Sequence, residues 1–326
     1  MKVFVTGISG SDATGYLNES VNFAKKHEHN MKVFSVGEML IENINQKNKL
    51  NYNSAKILNC PEDTRKLACS AVFEKIMSQM KYEQNVIIDS HSTFFWNQVY
   101  QNAINWHYIN EVDPDIFVTI IDYEVDIKKR LDETEQWKSQ NLNLKDVLLW
   151  QNIEVLTTKS IAESRNKPHF IIPRKYSEKT LYGIMFHPNA KKAYISFPMS
   201  HIKKQASIKL IDDFAKDIQE YYLIFNPRSV ELEKEFDETQ AGQTIKRDLD
   251  WFIDQIDDVI TFVAEPVFTQ GGSSEIKEGH ENCKTVYGIF PMGFGPFEQQ
   301  QCDKVFASTK EFFKFLDEKG HKKLSF

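Results

Sequence analysis

The stretch GISGSDATGYL, residues 7–17, follows directly on the apolar run Val3 to Val5, and its reading sets the fold class. A short apolar strand that runs into a glycine-containing loop and then a helix is how a phosphate-binding loop begins. Its glycines let backbone N–H groups close around an anion, and a lysine holds the transferred phosphate, in the pattern G-x-x-x-x-G-K-[ST]. Counted from Gly7, Asp12 stands at the second glycine, Ala13 at the lysine and Thr14 at the Mg²⁺-binding hydroxyl. Counted from Gly10, Gly15 falls correctly but Tyr16 takes the lysine's place. Neither register supplies the cation, and Asp12 adds a carboxylate where an anion has to be attracted. The loop is degenerate, with Gly7, Gly10 and Thr14 left to serve it.

Outward from this loop, Val33 to Val36, Val86 to Ile88, Ile116 to Ile121 and Phe170 to Ile172 are further short apolar runs separated by longer amphipathic stretches. That rhythm predicts a parallel sheet covered by helices. It stops at FHPNAKK, residues 186–192, where Pro188 and Asn189 interrupt it. It restarts with AYISF from 193, a helical stretch over about 202–222, YLIFN from 222, a helix containing RDLDWFIDQI, DVITFVAE from 258 and KTVYGIF from 284. The expected fold class is α/β, with two parallel-sheet domains over 1–187 and 188–326, the second smaller and Rossmann-like. Ile208, Ile211, Ala215 and Ile218 recur at spacings of three and four and predict one buried helix face. The charged VELEKEFDETQ from 230 reads as a solvated connection or helix face.

At 326 residues the chain is long for one core. A formal charge of -6 gives no global attraction to a nucleic-acid backbone, which argues for small substrates over duplex nucleic acid. Cys60, Cys69, Cys283 and Cys302 are too far apart and too poorly matched with histidines for a zinc site, so no metal and no cofactor is expected. No apolar run approaches the ~18 residues of a membrane helix. The chain opens into a strand without a basic and apolar leader, so a cytoplasmic location is expected.

VFSVGEML from 33, DTRKLACSAVFEKI from 63, NVIIDSHSTFFW from 85 and EVDPDIFVTIIDYEVDIKKRLDE from 111 join the loop in a fixed order. In that order and spacing, roughly residues 1 to 185 resemble an adenylate kinase of the archaeal type. The resemblance implies a nucleoside-monophosphate pocket at Gly37 and Glu38 and a phosphate-binding arginine at Arg65. It also matches Asp89, Ser90 and His91 to the family's Asp-Thr-His after a central strand. The departures concern catalysis: phosphoryl transfer relies on positioned cations, yet the loop lacks lysine and the lid stretch RLDETEQWKSQNLN offers Arg130 and Lys138. Nucleotide sensing or a structural role is expected of this half, the alternative being a nucleotide kinase that borrows a lysine from elsewhere. His91 reads either as functional, by its place after a strand, or as a hydrogen-bonded structural histidine.

In the second half Asp248 lies at the start of a helix and Glu275 follows the turn Gly271-Gly272-Ser273-Ser274. Both acids would then sit at the carboxyl-end side of a parallel sheet, where open α/β proteins place their ligands. Paired carboxylates are what glycosidic-bond cleavage uses. YISFPMS from 194, RDLDW from 247, DVITFVAEP from 258 and the turn ending in Ser274-Glu275 resemble the nucleoside 2-deoxyribosyltransferase superfamily over about residues 190 to 320. The nearest pattern is its 2′-deoxynucleoside 5′-monophosphate N-hydrolase branch. The resemblance implies that Glu275 is the nucleophile, that Asp248 handles the leaving base and that the Tyr194 hydroxyl orients Glu275. Ser196, Thr269, Gly271 and Ser273 would bind substrate, the last three around a 5′-phosphate. Asp248 also reads as a helix N-cap and Glu275 as a first-turn acid favoured by the helix dipole, with Glu278 and Glu281 close enough to shift an alignment. Phe197, Pro198 and Met199, then His201, Lys203 and Lys204, stand where that branch has small and basic residues. GIFPMGFGPF from 288 reads as a lid, a dimer contact or a buried loop.

The expected activity is hydrolysis or transfer at the N-glycosidic bond of a (deoxy)nucleoside 5′-monophosphate or related nucleotide, by a self-associating enzyme with no nucleic-acid or membrane partner. The alternatives are a nucleotide kinase with an atypical loop and a non-catalytic nucleotide sensor.

Overall fold

Val3, Phe4 and Val5 are almost wholly buried in β1 (Lys2–Thr6), as an apolar run without alternation requires of a strand covered on both faces. In the computed structural model, which describes residues 1–48, 57–197, 204–225, 250–265, 270–293 and 299–324, β1 is the middle strand of a five-stranded sheet. The other strands are β2 (Lys32–Ser35), β3 (Val86–Ser90), β6 (Ile116–Ile121) and β7 (His169–Pro173), in the order β2-β3-β1-β6-β7, with every pairing parallel. Each corresponds to one of the apolar runs. Between them lie α1 (Ala13–Lys26), α2 (Val36–Asn48), α3 (Glu62–Met80), α4 (Trp106–Val112), α5 (Glu124–Glu133), α6 (Glu135–Lys138) and α7 (Leu144–Glu163), followed by α8 (Lys179–Phe186).

The hairpin of β4 (Thr93–Trp96) and β5 (Val99–Asn102), which follows β3, was not foreseen. Its two-residue turn holds Asn97 and Gln98 at φ of 50° and 61°. Positive φ at both positions is the turn that suits a twisted hairpin, but glutamine there is a poor advertisement for it. The exit from β3 is fixed from below by the buried Glu154 of α7, whose carboxylate accepts the N–H of Ser92 at 2.8 Å, the N–H of Thr93 at 2.7 Å and the Thr93 hydroxyl at 2.6 Å.

The chain divides into two units, Met1–Tyr182 and Gly183–Phe326, so the division falls inside α8 and ahead of the 187/188 boundary. The second unit contains β8 (Lys192–Ser196), α9 (Gln205–Asp217), β9 (Leu223–Phe225), β10 (Asp258–Phe262), α10 (Gln270–Glu281), β11 (Thr285–Ile289), β12 (Lys304–Phe306) and α11 (Thr309–Glu318). Its sheet is parallel in the order β12-β11-β10-β8-β9. In chain order this is the doubly wound 2-1-3-4-5 arrangement, whose direction of winding reverses between β8 and β10. Ile211, Phe214 and Ile218 form the buried stripe of the α9 stretch, with Ile208 and Ala215 at its edges. No helix among the described residues is long and apolar enough to cross a membrane.

One sequence expectation is corrected here. Gly271 to Ser274 are not a turn: they form the first turn of α10, which starts at Gln270, so Glu275 stands in the second turn. The first four N–H groups of a helix have no intrahelical partner, so residues of low helix propensity cost least there. Residues 250–254 are helical, whereas Asp248, Thr269, the stretch from 230 and residues 294–298 of the GIFPMGFGPF segment lie outside the described residues.

Across the first sheet, the Thr6 hydroxyl meets those of Thr119 at 3.0 Å and Thr158 at 2.8 Å, and the Thr119 hydroxyl meets Nε2 of His169 at 2.9 Å. Burial, with Lys159 adding to it, lowers the His169 pKa to about 3. The unfolded chain takes up this proton below pH about 6.5 and the folded chain does not, so stability falls as pH drops from there towards 3. His169→Gln should show a smaller fall in Tm between pH about 7.5 and about 5 than the parent chain. An equal fall would remove His169 from the acid sensitivity.

Candidate functional site

The loop leaves β1 at Gly7 and enters α1 at Ala13, and its hydrogen bonds decide between the two registers. The Thr14 hydroxyl donates to Asp89 Oδ2 at 2.9 Å, at the carboxyl end of β3. Tyr16 is fully buried and donates to the Ser177 carbonyl at 3.0 Å, away from any ligand space. The register from Gly7 therefore stands, with Ala13 at the lysine position. Gly10 has φ +84°, where L side chains are strained, and a Cβ on it would lie 3.0 Å from the Ile127 carbonyl. His91 Nδ1 lies 2.5 Å from the Gly7 carbonyl, and since a carbonyl only accepts, Nδ1 carries the proton. Burial raises the Asp89 pKa, while His91 and the Thr14 hydrogen bond pull it back.

Charges around the loop are largely cancelled from within. Asp12 adopts the left-handed conformation, φ 58°, and its Oδ2 accepts from Arg174 Nε at 2.7 Å. The two Nη atoms of Arg174 donate to Glu19 at 3.0 and 2.7 Å. Arg130 of α5 donates from Nε to the Gly10 carbonyl at 2.5 Å and from Nη2 to Asp122. Burial raises the Asp122 pKa against the pull of Arg130. Arg174, which follows β7 directly, was missed; it is 162 positions from Asp12 and no local pattern links them.

Gly7, Gly10 and Thr14 line a cavity of about 440 Å³ together with Asp12, Arg130 and Trp137. Arg65 does not line it. Its guanidinium donates to the Leu58 carbonyl and to Gln101 Oε1, each at 3.3 Å, and lines a second cavity of about 940 Å³ with Phe94 and Trp106. The two cavities share Gly37, Ser90 and His91.

In the second unit the strand period of two puts Tyr194 and Ser196 on the same face of β8. Both hydroxyls reach Glu275: Tyr194 donates to Oε1 at 2.7 Å and Ser196 to Oε2. Tyr194 is 2% and Ser196 1% exposed, so the carboxylate is gripped from a rigid strand beside the β8/β10 reversal. A carboxylate with an oriented donor on each oxygen is held in one plane, which suits it to act as nucleophile or base. Ser273 Oγ is buried without a hydrogen-bond partner among the described residues, and Gly271 lies one turn ahead of Glu275. Tyr194, Ser196 and Glu275 are thus brought together.

Gly279 makes this reach possible. It is one turn beyond Glu275 on the same helix face, and a Cβ there would lie 2.6 Å from Val259 Cγ2 and 3.3 Å from Val286 Cγ2. Its missing side chain lets α10 lie against β10 and β11. A glycine inside a helix was the available signal, since it otherwise costs stability.

A family model described as an AAA domain matches residues 6–146. The adenylate kinase of Methanocaldococcus jannaschii is 24% identical to this chain over 136 residues, 41% of this chain and 70% of that protein. The first unit thus contains a P-loop-kinase-like domain with weak similarity to an adenylate kinase. Both matches lie in the first half of the chain.

Gly279→Ala should lower Tm: overpacking against stiff Val259 costs about 1–3 kcal/mol, against about 1 kcal/mol gained in helix propensity. Adding Val259→Ala should recover part of the loss, so that the pair is more stable than the two single changes sum to. Strict additivity would place the fit of α10 elsewhere.

Proposed function

We propose that this chain acts on small nucleotides and that its first unit is a nucleotide-binding domain of the kinase type. The observation that carries this reading is the Thr14–Asp89 hydrogen bond at the start of α1. In P-loop proteins such a hydroxyl and carboxylate hold Mg²⁺ against the phosphates. The stretch similar to an adenylate kinase supports it, and the comparisons favour the alternative above, a nucleotide kinase with an atypical loop, over a glycosidic enzyme. Without the loop lysine, charge that develops during phosphoryl transfer goes largely uncompensated, so binding outlasts transfer. Thr14→Ala and Asp89→Asn should each weaken Mg²⁺–nucleotide binding about tenfold or more while leaving Mg²⁺-free binding unchanged. Calorimetric titration with and without Mg²⁺ reads this directly, and an unaltered Mg²⁺ dependence would reject the assignment.

A second reading, for the second unit, rests on the grip of Tyr194 and Ser196 on Glu275. We propose that Glu275 attacks the anomeric carbon of a nucleoside 5′-monophosphate. A C–O ester bond to Glu275 forms as the C–N bond breaks, and the base leaves with a proton supplied by an acid, the role expected of Asp248. Water then cleaves the ester, or a second base replaces the first. Thr269, Gly271 and Ser273 are proposed to hold the 5′-phosphate. Glu275→Gln keeps the shape and removes the attacking anion, so release of free base should fall by about a thousandfold with Tm retained. Near-normal release would move the nucleophile to Glu278 or Glu281.

A further inference from the structure

We propose that the second unit carries a separate binding site for a small polyanion, a chain of two or more phosphates, in the cavity at the amino-terminal end of its sheet. This cavity, of about 700 Å³, is lined by Lys191, Lys319, Lys322, Lys323, His187 and His321, and no aspartate or glutamate lines it among the described residues. The whole chain has a formal charge of -6, so a concave space walled by cations runs against its composition. The volume is that of a small-molecule site. Lys191 directly precedes β8 and Ser196 ends it, which sets the cavity about 16 Å along the strand from the grip on Glu275. None of its lining residues belongs to either cavity of the first unit.

The basic wall is built by the way α11 ends. Gly320 adopts φ +72°, and the His321 N–H donates back to the Leu316 carbonyl at 3.0 Å, the glycine cap that turns a chain out of a helix. The Leu324 N–H then donates to the Glu220 carbonyl at 2.5 Å, so the run His321 to Lys323 is fastened at both ends beside the start of β9. Lys191 Nζ lies 3.0 Å from Oδ2 of Asp258, a residue 1% exposed that also accepts the Tyr222 hydroxyl at 2.8 Å. That lysine is aimed from behind. Lys323 pairs with Glu220 at 2.7 Å, and of the acids nearby Asp257 pairs with Lys192 and Asp317 accepts the Tyr221 hydroxyl. Lys319 and Lys322 have no ion pair among the described residues. Like charges converging on a concavity raise its potential and oppose folding unless an anion compensates them. Two uncommitted lysines, beside a third whose partner is shared with Tyr222, match an anion carrying more than the roughly 1.5–2 charges of one phosphate. A condensed phosphate chain fits, either free or as part of a nucleotide.

The test is calorimetric titration of the full chain with phosphate, pyrophosphate, tripolyphosphate and ATP, without Mg²⁺. In the parent, affinity should rise with the number of phosphates and fall as salt is raised. Lys319→Gln/Lys322→Gln changes two exposed side chains and should keep the parent's Tm, but should bind tripolyphosphate about tenfold more weakly. Lys25→Gln/Lys26→Gln, which removes the same charge from exposed positions at the end of α1, should bind it as the parent does. An equal or larger loss for ATP admits a nucleotide as the source of the phosphates, whereas no loss for ATP leaves the free chain as the ligand. A parent that does not bind tripolyphosphate, an unchanged affinity in Lys319→Gln/Lys322→Gln, or an equal fall in both double variants would overturn the proposal. So would loss of single-stranded RNA binding in Lys319→Gln/Lys322→Gln with tripolyphosphate binding intact.

Discussion

A parallel strand covered on both faces has room for polar groups only where they satisfy one another, or at its end. Both units obey this constraint, and it places their chemistry. In β1 the buried Thr6 is satisfied by Thr119 and Thr158, and the next residue, Gly7, opens the loop. In β8 the hydroxyls of Tyr194 and Ser196 are satisfied by Glu275 on the helix that covers them. The first network joins the sheet to α7, and its three threonines are fully buried. The second lies beside the reversal of strand order, where such sheets leave a crevice.

The two arginines beside the loop are held in different ways. The Asp12–Arg174 pair has side chains 40% and 20% exposed, and pairs of that kind contribute at most about 1 kcal/mol to stability. Its effect is local, cancelling the carboxylate that replaced a glycine. The Asp122–Arg130 pair differs because the Asp122 side chain is 2% exposed. Removing its partner leaves a buried carboxylate without its compensating cation. One arginine thus offsets an exposed carboxylate, and the other, which lines the cavity, is anchored on a buried one.

All five strands of the first sheet were legible as apolar runs, because strands buried on both faces need no alternation to be noticed. The β4–β5 hairpin was not, since Asn97-Gln98 carries its positive φ angles without a glycine. β12, three residues long, was too short to register. Gly271 to Ser274 looked like a turn by composition, yet the first turn of a helix tolerates the same residues. Tyr194 and Glu275 stand 81 positions apart, and only a resemblance connected them in advance. The partners of Asp12 and Gly10, Arg174 and Arg130, depend on the packing of distant elements and leave no local trace. Gly279 was visible but unremarked, because what its Cβ would strike is a property of β10.

The central proposal is that a nucleotide reaches this chain as a ligand for the first unit and, by the second reading proposed, as a substrate for the second. Incubating the full chain with a nucleoside monophosphate and a Mg²⁺–nucleoside triphosphate, then separating the products by chromatography, tests it most directly. The account predicts free base and sugar phosphate, with no nucleoside diphosphate above background. Diphosphate formed in step with triphosphate consumption, with no free base, would contradict it and make the first unit a working kinase.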